Sequence, residues 1–480
     1  MQFKYLILSL FLALQTISFA LPVIIEGKSS AGDNYVFRVY LKKDALSGLE
    51  YLADQQRPNK DGHFSLGFEL REIQEIKIEV GLQSVKFFAI PGETYYLNFS
   101  GISINDQNVF LPQKPLDVIF EKEDMLNIVI DGFNYEYQRF LEKEFITLIK
   151  YHDKKLFDSF CSDMYKKLHE SPLKDSLSFS FTNNYIEYKL VELSLIAGLE
   201  ANESLGIRYL TNKDILLNNP AYISFFKKYF DKYLLSRDYY YDLRRLINQG
   251  PPSAKLIDKL GQDPVLLKEK LRELVLLNSL KQVFYDTDFN QYALNDLFTE
   301  LENKSKFSSN KTIAKNLKIS LNRFAKGSSL PDFKLKNLSG KTKKLSSYKN
   351  KKTYLMFISP DCETCEADIR LLKARYKEIN NQINLVTIYV GYNHSEATKW
   401  AKNQNANWDF LWFQDNFNLL NEYKIKTFPK YLIIDEDSRL LNYFPPKPRE
   451  NLFTTLEAYK KQDEAKSKKN AKGKSDIFRN

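Results

Sequence analysis

Cysteine is scarce: the 480 residues hold only Cys161, Cys362 and Cys365. A small-core scaffold stapled by disulfides would use many more, so that class is excluded. Histidine is equally thin, with four residues scattered at 63, 152, 169 and 394. Structural zinc asks for four converging ligands, and only Cys362 and Cys365 lie close together, so neither a metal nor another cofactor is expected. Long apolar runs are missing too. The best, at 5–14, is too short to span a bilayer, and an integral membrane protein is not expected. No repeat of fixed period stands out. Charge of one sign is also less abundant than the net +10 suggests. Within 460–480, seven lysines and one arginine face Asp463, Glu464 and Asp476, so half the excess belongs to the last 21 residues. The remainder is mildly basic, and no nucleic-acid partner is expected.

What is present describes a globular chain of several domains, 43% hydrophobic and 14% aromatic. Lys4, the apolar stretch 5–14 and the small-x-small step Ser18-Phe19-Ala20 read as a Sec signal peptide over 1–20. No cysteine follows that step, so there is no lipobox, and a periplasmic or otherwise exported protein starting near Leu21 is expected. Residues 21–131 are β-like: 35–41, 73–80 and 84–90 are rich in β-branched and aromatic side chains, with turns at Asp61-Gly62 and Pro91-Gly92. An antiparallel sandwich or barrel is predicted there. After Asp131-Gly132 the period becomes helical, and 132–325 reads as an all-α domain with runs at 156–168, 185–199, 222–235, 265–283 and 292–301. Cys161 falls on the apolar side of one run, as an inert packing residue. The Tyr239-Tyr240-Tyr241 cluster is expected to pack rather than to line a groove.

Residues 326–462 alternate strands with helices around a mixed sheet, and 463–480 form a basic flexible tail. The fold class is thus multidomain α+β, with an N-terminal antiparallel β domain, a central all-α domain and a C-terminal α/β domain.

Chemistry concentrates at 353–369, TYLMFISPDCETCEADI. The apolar run 354–358 ends at Ser359-Pro360-Asp361. Beyond the cysteines Ile369, Leu372 and Tyr376 recur at helical spacing, so Cys362 and Cys365 belong on the first turn of a helix leaving a buried strand. A helix N-terminus stabilises an anion, and the thiolate is the reactive form of cysteine. Two intervening residues allow the pair to close a disulfide and reopen it. Cys362, nearer the helix start, is the expected exposed nucleophile, and Cys365 the resolving thiol.

With Pro331-Asp332-Phe333 opening the domain, the strand into Cys362-Glu363-Thr364-Cys365 and the later Lys426-Thr427-Phe428-Pro429, residues 330–462 resemble the TlpA/ResA type of thioredoxin-like thiol-disulfide oxidoreductase. The whole layout is similar to multidomain exported forms in Bacteroidota. The resemblance implies a thioredoxin fold, a cis Pro429 facing the cysteines, and Thr427, Phe428 and Pro429 as substrate-binding residues. It also implies disulfide-containing protein substrates and a membrane reductase of the DsbD kind as electron donor. Three positions depart from the family pattern: Thr364 stands where proline is common, Met356 where a buried acid is found, and Asp361 where tryptophan often precedes the first cysteine. Asp361, Glu363, Glu366 and Asp368 surround the pair. Their charge disfavours a thiolate, which predicts a reductant or isomerase in preference to an oxidant.

One other enzyme reading is weaker. Pro360 and Thr364 match a peroxiredoxin-like spacing, but the cysteine it requires would be residue 367, which is Ala367. The alternative of a different class is a redox-inert exported binding or scaffold protein with a structural disulfide.

Overall fold

Strict alternation of apolar and polar side chains builds the N-terminal part of the computed structural model, which describes residues 20–477 apart from 34, 82, 103–114, 175, 177, 236–239, 287, 360, 361, 392, 393, 414, 415 and 426. The proposed leader at 1–19 and Tyr239 therefore lie outside the described residues. In β1 (Leu21–Ser29) and β4 (His63–Leu70) every second residue is buried, the period of a strand with one face on a core. Strands β1, β4, β7 (Thr94–Ser100) and β8 (Asp117–Phe120) form one sheet in the order β4-β1-β7-β8. Strands β2 (Phe37–Lys42), β3 (Glu50–Gln56), β5 (Gln74–Val80) and β6 (Gln83–Ala89) form a second, ordered β3-β2-β5-β6. Their inner faces share one apolar core, from Val23, Leu66 and Leu97 to Val39, Ile78 and Phe87. At its centre the Phe37 and Phe64 rings stack at 4.1 Å. Gly27 permits this approach, since a Cβ there would fall 2.2 Å from the Phe64 ring. The sandwich is not wholly antiparallel, as was predicted: β1 pairs parallel with β7, Ile25 opposite Tyr95. Side-chain period alone does not encode strand direction.

The first helix, Met125–Tyr151, begins ahead of Asp131-Gly132, because Asp124 caps it by accepting from the Asn127 N–H at 3.2 Å. Asn127 then closes the edge of β6: Phe88 N–H donates to its Oδ1 and its Nδ2 donates to Phe88 O, both at 2.8 Å. Lys227 Nζ donates to Ala45 O at 3.1 Å, and Lys281 Nζ to Leu46 O at 2.7 Å. Through such contacts the sandwich and the helices, read as separate domains from the sequence, make one compact unit of residues 20–102 and 115–320. Its central helix, Glu269–Val283, is buried at every residue from 273 to 280, with Leu271, Leu274, Val275, Leu276, Leu277 and Leu280 in the core. Cys161 is half-buried, and burial pushes its thiol up to about 12. Tyr241, expected to pack, is 78% exposed.

Residues from 321 onward form the second unit. Its sheet runs β10 (Thr342–Lys344), β9 (Lys334–Asn337), β13 (Asp409–Trp412), β12 (Asn384–Tyr389), β11 (Thr353–Ile358), β14 (Lys430–Ile434), β15 (Leu440–Asn442). β11, β12 and β13 are parallel, and β14 runs antiparallel to β11. All six residues of β11 are buried, as a central strand covered on both faces requires. Ahead of β9 the chain pairs with the sheet edge: Gly327 N–H donates to Leu440 O at 2.6 Å and Leu440 N–H to Ser328 O at 2.8 Å. The last helix runs from Leu452 to Ile477, into the 463–480 stretch expected to be a flexible tail. Buried Lys352 ties it down, donating to Asp463 at 2.5 Å and Glu436 at 2.7 Å. Among the described residues no helix is long and apolar enough to cross a membrane.

Candidate active site

β11 carries the chain to the cysteines. Beyond it, Cys362 is the N-cap of the helix Glu363–Ala374, and its sulfur accepts the Cys365 N–H at 3.1 Å. The free N–H groups of a first turn have no partner within the helix, so this turn directs donor and dipole at Cys362. The two sulfurs are bonded at 2.02 Å, with Cα atoms 5.2 Å apart. Cys362, expected to be exposed, is buried at 7% exposure, and Cys365 at 1%, so the first cysteine is only the less buried of the two in the disulfide form.

The Phe428–Pro429 peptide is cis. Lys430, the next residue, pairs with Phe357. That register places the cis bond level with Ile358 and Ser359, where the chain departs for Cys362. Thr427 is exposed, Phe428 buried and Pro429 half-buried. Thr427–Pro429 and the end of β11 that leads to the pair therefore lie at the same end of the sheet, while Pro360, Asp361 and Lys426 lie outside the described residues.

The expected cluster of free acids is not what surrounds the disulfide. Glu363 is exposed, but Glu366 pairs with Arg370 at 3.6 Å. Asp368 is turned inside, 1% exposed, and its Oδ1 accepts from Arg449 Nε at 2.7 Å. Its Oδ2 accepts from the Tyr431 hydroxyl. Of the four acids, Glu363 stays exposed, Glu366 and Asp368 are paired, and Asp361 lies outside the described residues. Tyr431 stands opposite Met356 and stacks on Tyr354, ring centroids 5.3 Å apart. Burial first, and then its bond to Asp368, push the Tyr431 phenol far above its ordinary value. Asp368, one turn beyond Cys365 on the same helix side, is thus a buried acid bonded to the residue that stands opposite Met356. Helical spacing after the cysteines could have flagged Asp368. Tyr431 and Arg449, distant in sequence, give no such signal.

Residues 327–442 match the AhpC/TSA family. The same region is similar to the thiol-disulfide oxidoreductase ResA of Bacillus subtilis, 25% identical over 118 residues, or 24% of this chain and 65% of that protein. The thioredoxin-like protein YneN of Bacillus subtilis is 29% identical over 115 residues, 23% of this chain and 65% of its own length. This chain thus spans just under two thirds of each of these relatives. Among solved structures, the thioredoxin domain of a thiol-disulfide oxidoreductase from Bacteroides vulgatus aligns at 20% identity, covering 28% of this chain and 97% of that one with a TM-score of 0.26. The similarity to these thiol-disulfide oxidoreductases is thus confined to the C-terminal unit.

Proposed function

We propose that the protein is an exported thiol-disulfide oxidoreductase that reduces or isomerises disulfides in other proteins. The observation that carries this reading is the Cys362–Cys365 bond at a helix N-cap, beside a cis Phe428–Pro429 step. In the reduced enzyme the Cys362 thiolate attacks one sulfur of a substrate disulfide. The other substrate sulfur leaves as a thiolate and is protonated, and a mixed disulfide remains. Cys365 then gives up its proton and attacks the Cys362 sulfur, which expels the second substrate thiol and closes the enzyme disulfide. Two electrons and two protons pass to the substrate. A membrane reductase of the DsbD kind would restore the dithiol. Thr427, Phe428 and Pro429 would hold the substrate backbone against the pair.

Burial supports the reducing direction. Charge is costly at a sulfur that is 1% exposed, so a second thiolate gains little, and the closed disulfide is favoured over the charged dithiol. A peroxidase reading lacks its nucleophile, since residue 367 is Ala367. The test is covalent trapping with the full-length chain. Cys365→Ser should accumulate mixed disulfides with exported proteins that dithiothreitol releases, and Cys362→Ser should accumulate none. Absence of adducts from both variants would move the reading to the redox-inert scaffold.

A further inference from the structure

Lys430, the residue directly after the cis proline, has an arrangement that the exchange chemistry leaves unexplained. Its Nζ lies 3.8 Å from the Tyr443 ring centroid and 4.0 Å from that of Phe444, and it donates to Tyr443 O at 3.0 Å. Among the described residues no carboxylate is within ion-pair distance of it. The back of this cage is fixed: Tyr443 stacks on Phe324 at 4.2 Å, and its hydroxyl donates to Tyr423 O at 2.9 Å. The front is the Phe444 ring, 79% exposed, over a half-buried Lys430.

Strand directions give the cage its place. β14 runs antiparallel to β11, so Lys430, at the start of β14, lies at the end of the sheet where β11 departs for Cys362. Tyr443 and Phe444 follow the end of β15, which is antiparallel to β14, and so reach that same end. The cage therefore borders the Thr427–Pro429 step on the sheet side away from Asp368, since Lys430 and Tyr431 alternate across the strand.

We propose that Lys430, Tyr443 and Phe444 form a docking surface for the substrate polypeptide, with Phe444 covering its backbone and Lys430 selecting an acidic residue beside the reactive cysteine. The proposal rests on the dithiol-exchange reading above. An exposed aromatic ring supplies contact area at little entropic cost. The ammonium has spent one of its three N–H groups on Tyr443 O, and a carboxylate is the complement that offsets its partial desolvation. Burial pulls this amine down to about 8, which leaves it charged at neutral pH. Continuity with the cis-proline step favours a peptide occupant over a detached anion, because any protein disulfide that reaches Cys362 brings its flanking chain across this edge.

The test uses the reduced full-length protein and three oxidants: hydroxyethyl disulfide, and two synthetic peptides with one internal disulfide each, identical except for Glu or Gln beside the cysteine. The wild type should favour the Glu peptide by about fivefold in kcat/KM. Lys430→Gln should bring that ratio to about one, and Lys430→Arg should retain it. Phe444→Ala, a change at an exposed ring, should lower the peptide rate relative to the hydroxyethyl disulfide rate by about fivefold. A wild-type ratio near one, or a Phe444→Ala loss equal for peptides and hydroxyethyl disulfide, overturns the docking proposal and leaves the exchange reading standing. Failure of the wild type to exchange with hydroxyethyl disulfide overturns the exchange reading itself, and the docking proposal with it.

Discussion

Each of the two units buries a carboxylate, and they treat it differently. In the N-terminal unit Glu273, 3% exposed, accepts from Ser305 Oγ at 2.5 Å and Asn310 Nδ2 at 3.1 Å. Both donors are neutral, and both hold the start of the helix Ser308–Asn322 against the central helix. In the C-terminal unit Asp368 is met by a full counter-charge from Arg449 and by the Tyr431 hydroxyl. Neutral donors suffice where a buried acid only fastens helices together. The acid on the cysteine helix is instead held by a cation that comes from 81 residues away in the chain. One acid belongs to architecture, the other to a site.

That contrast can be broken first at the chemistry itself. Cys362→Ser should lower disulfide exchange by about a thousandfold or more, whereas Glu273→Gln should leave it near wild type; an equal loss would mean that folding, not the thiol, sets the activity. Next in size is stability. Asp368→Asn removes the counter-charge of half-exposed Arg449, leaves one acceptor oxygen for two donors, and should cost about 2–3 kcal/mol. Glu273→Gln keeps an acceptor for both donors and should cost about 1 kcal/mol or less. Urea midpoints measured on each variant would contradict the account if that order were reversed. A steric change in the sandwich comes third: Gly27→Ala drives a Cβ into the Phe64 ring and should cost about 1–3 kcal/mol, with exchange kinetics preserved. The smallest effect is on pH dependence. Burial lowers Lys227 from 10.5 to about 8, and Lys281 is lowered by the same cause. Above about pH 8 the unfolded chain therefore holds more protons than the folded one, and stability should rise with pH. The rise should stop as unfolded tyrosines ionise near 10.0, because burial holds Tyr137 and Tyr222 protonated in the fold. A thermal midpoint that falls between pH 8 and 9 would contradict this.

The same two units differ in how far the sequence made them legible. The site was readable where its signals are local: the apolar run 354–358, the cysteines two residues apart, and the helical period resumed at Ile369. Strands of the sandwich were visible for the same reason. Pairing was not, and the parallel β1–β7 contact could not be seen in any single segment. Asp131-Gly132 looked like a break because both residues disfavour helices, yet the cap at Asp124 and the burial of Leu126, Ile130 and Phe133 carry the helix through it. β13, only Asp409–Trp412, was too short to announce itself. Least visible was the setting of Asp368, since its partners lie 63 and 81 residues away. Four acids near the cysteines suggested an open negative field, and only the fold turns one of them inward and supplies its cation.

The most direct test of the central claim is the reduction potential of the Cys362–Cys365 pair in the full-length protein, from equilibration with dithiothreitol or glutathione followed by thiol trapping. The account expects a reversible two-electron couple near or below about −270 mV, the thioredoxin value. A couple near about −120 mV, as in a strong oxidant, would contradict the reducing assignment. A pair that opens only when the domain unfolds would contradict the redox role altogether and make the disulfide structural.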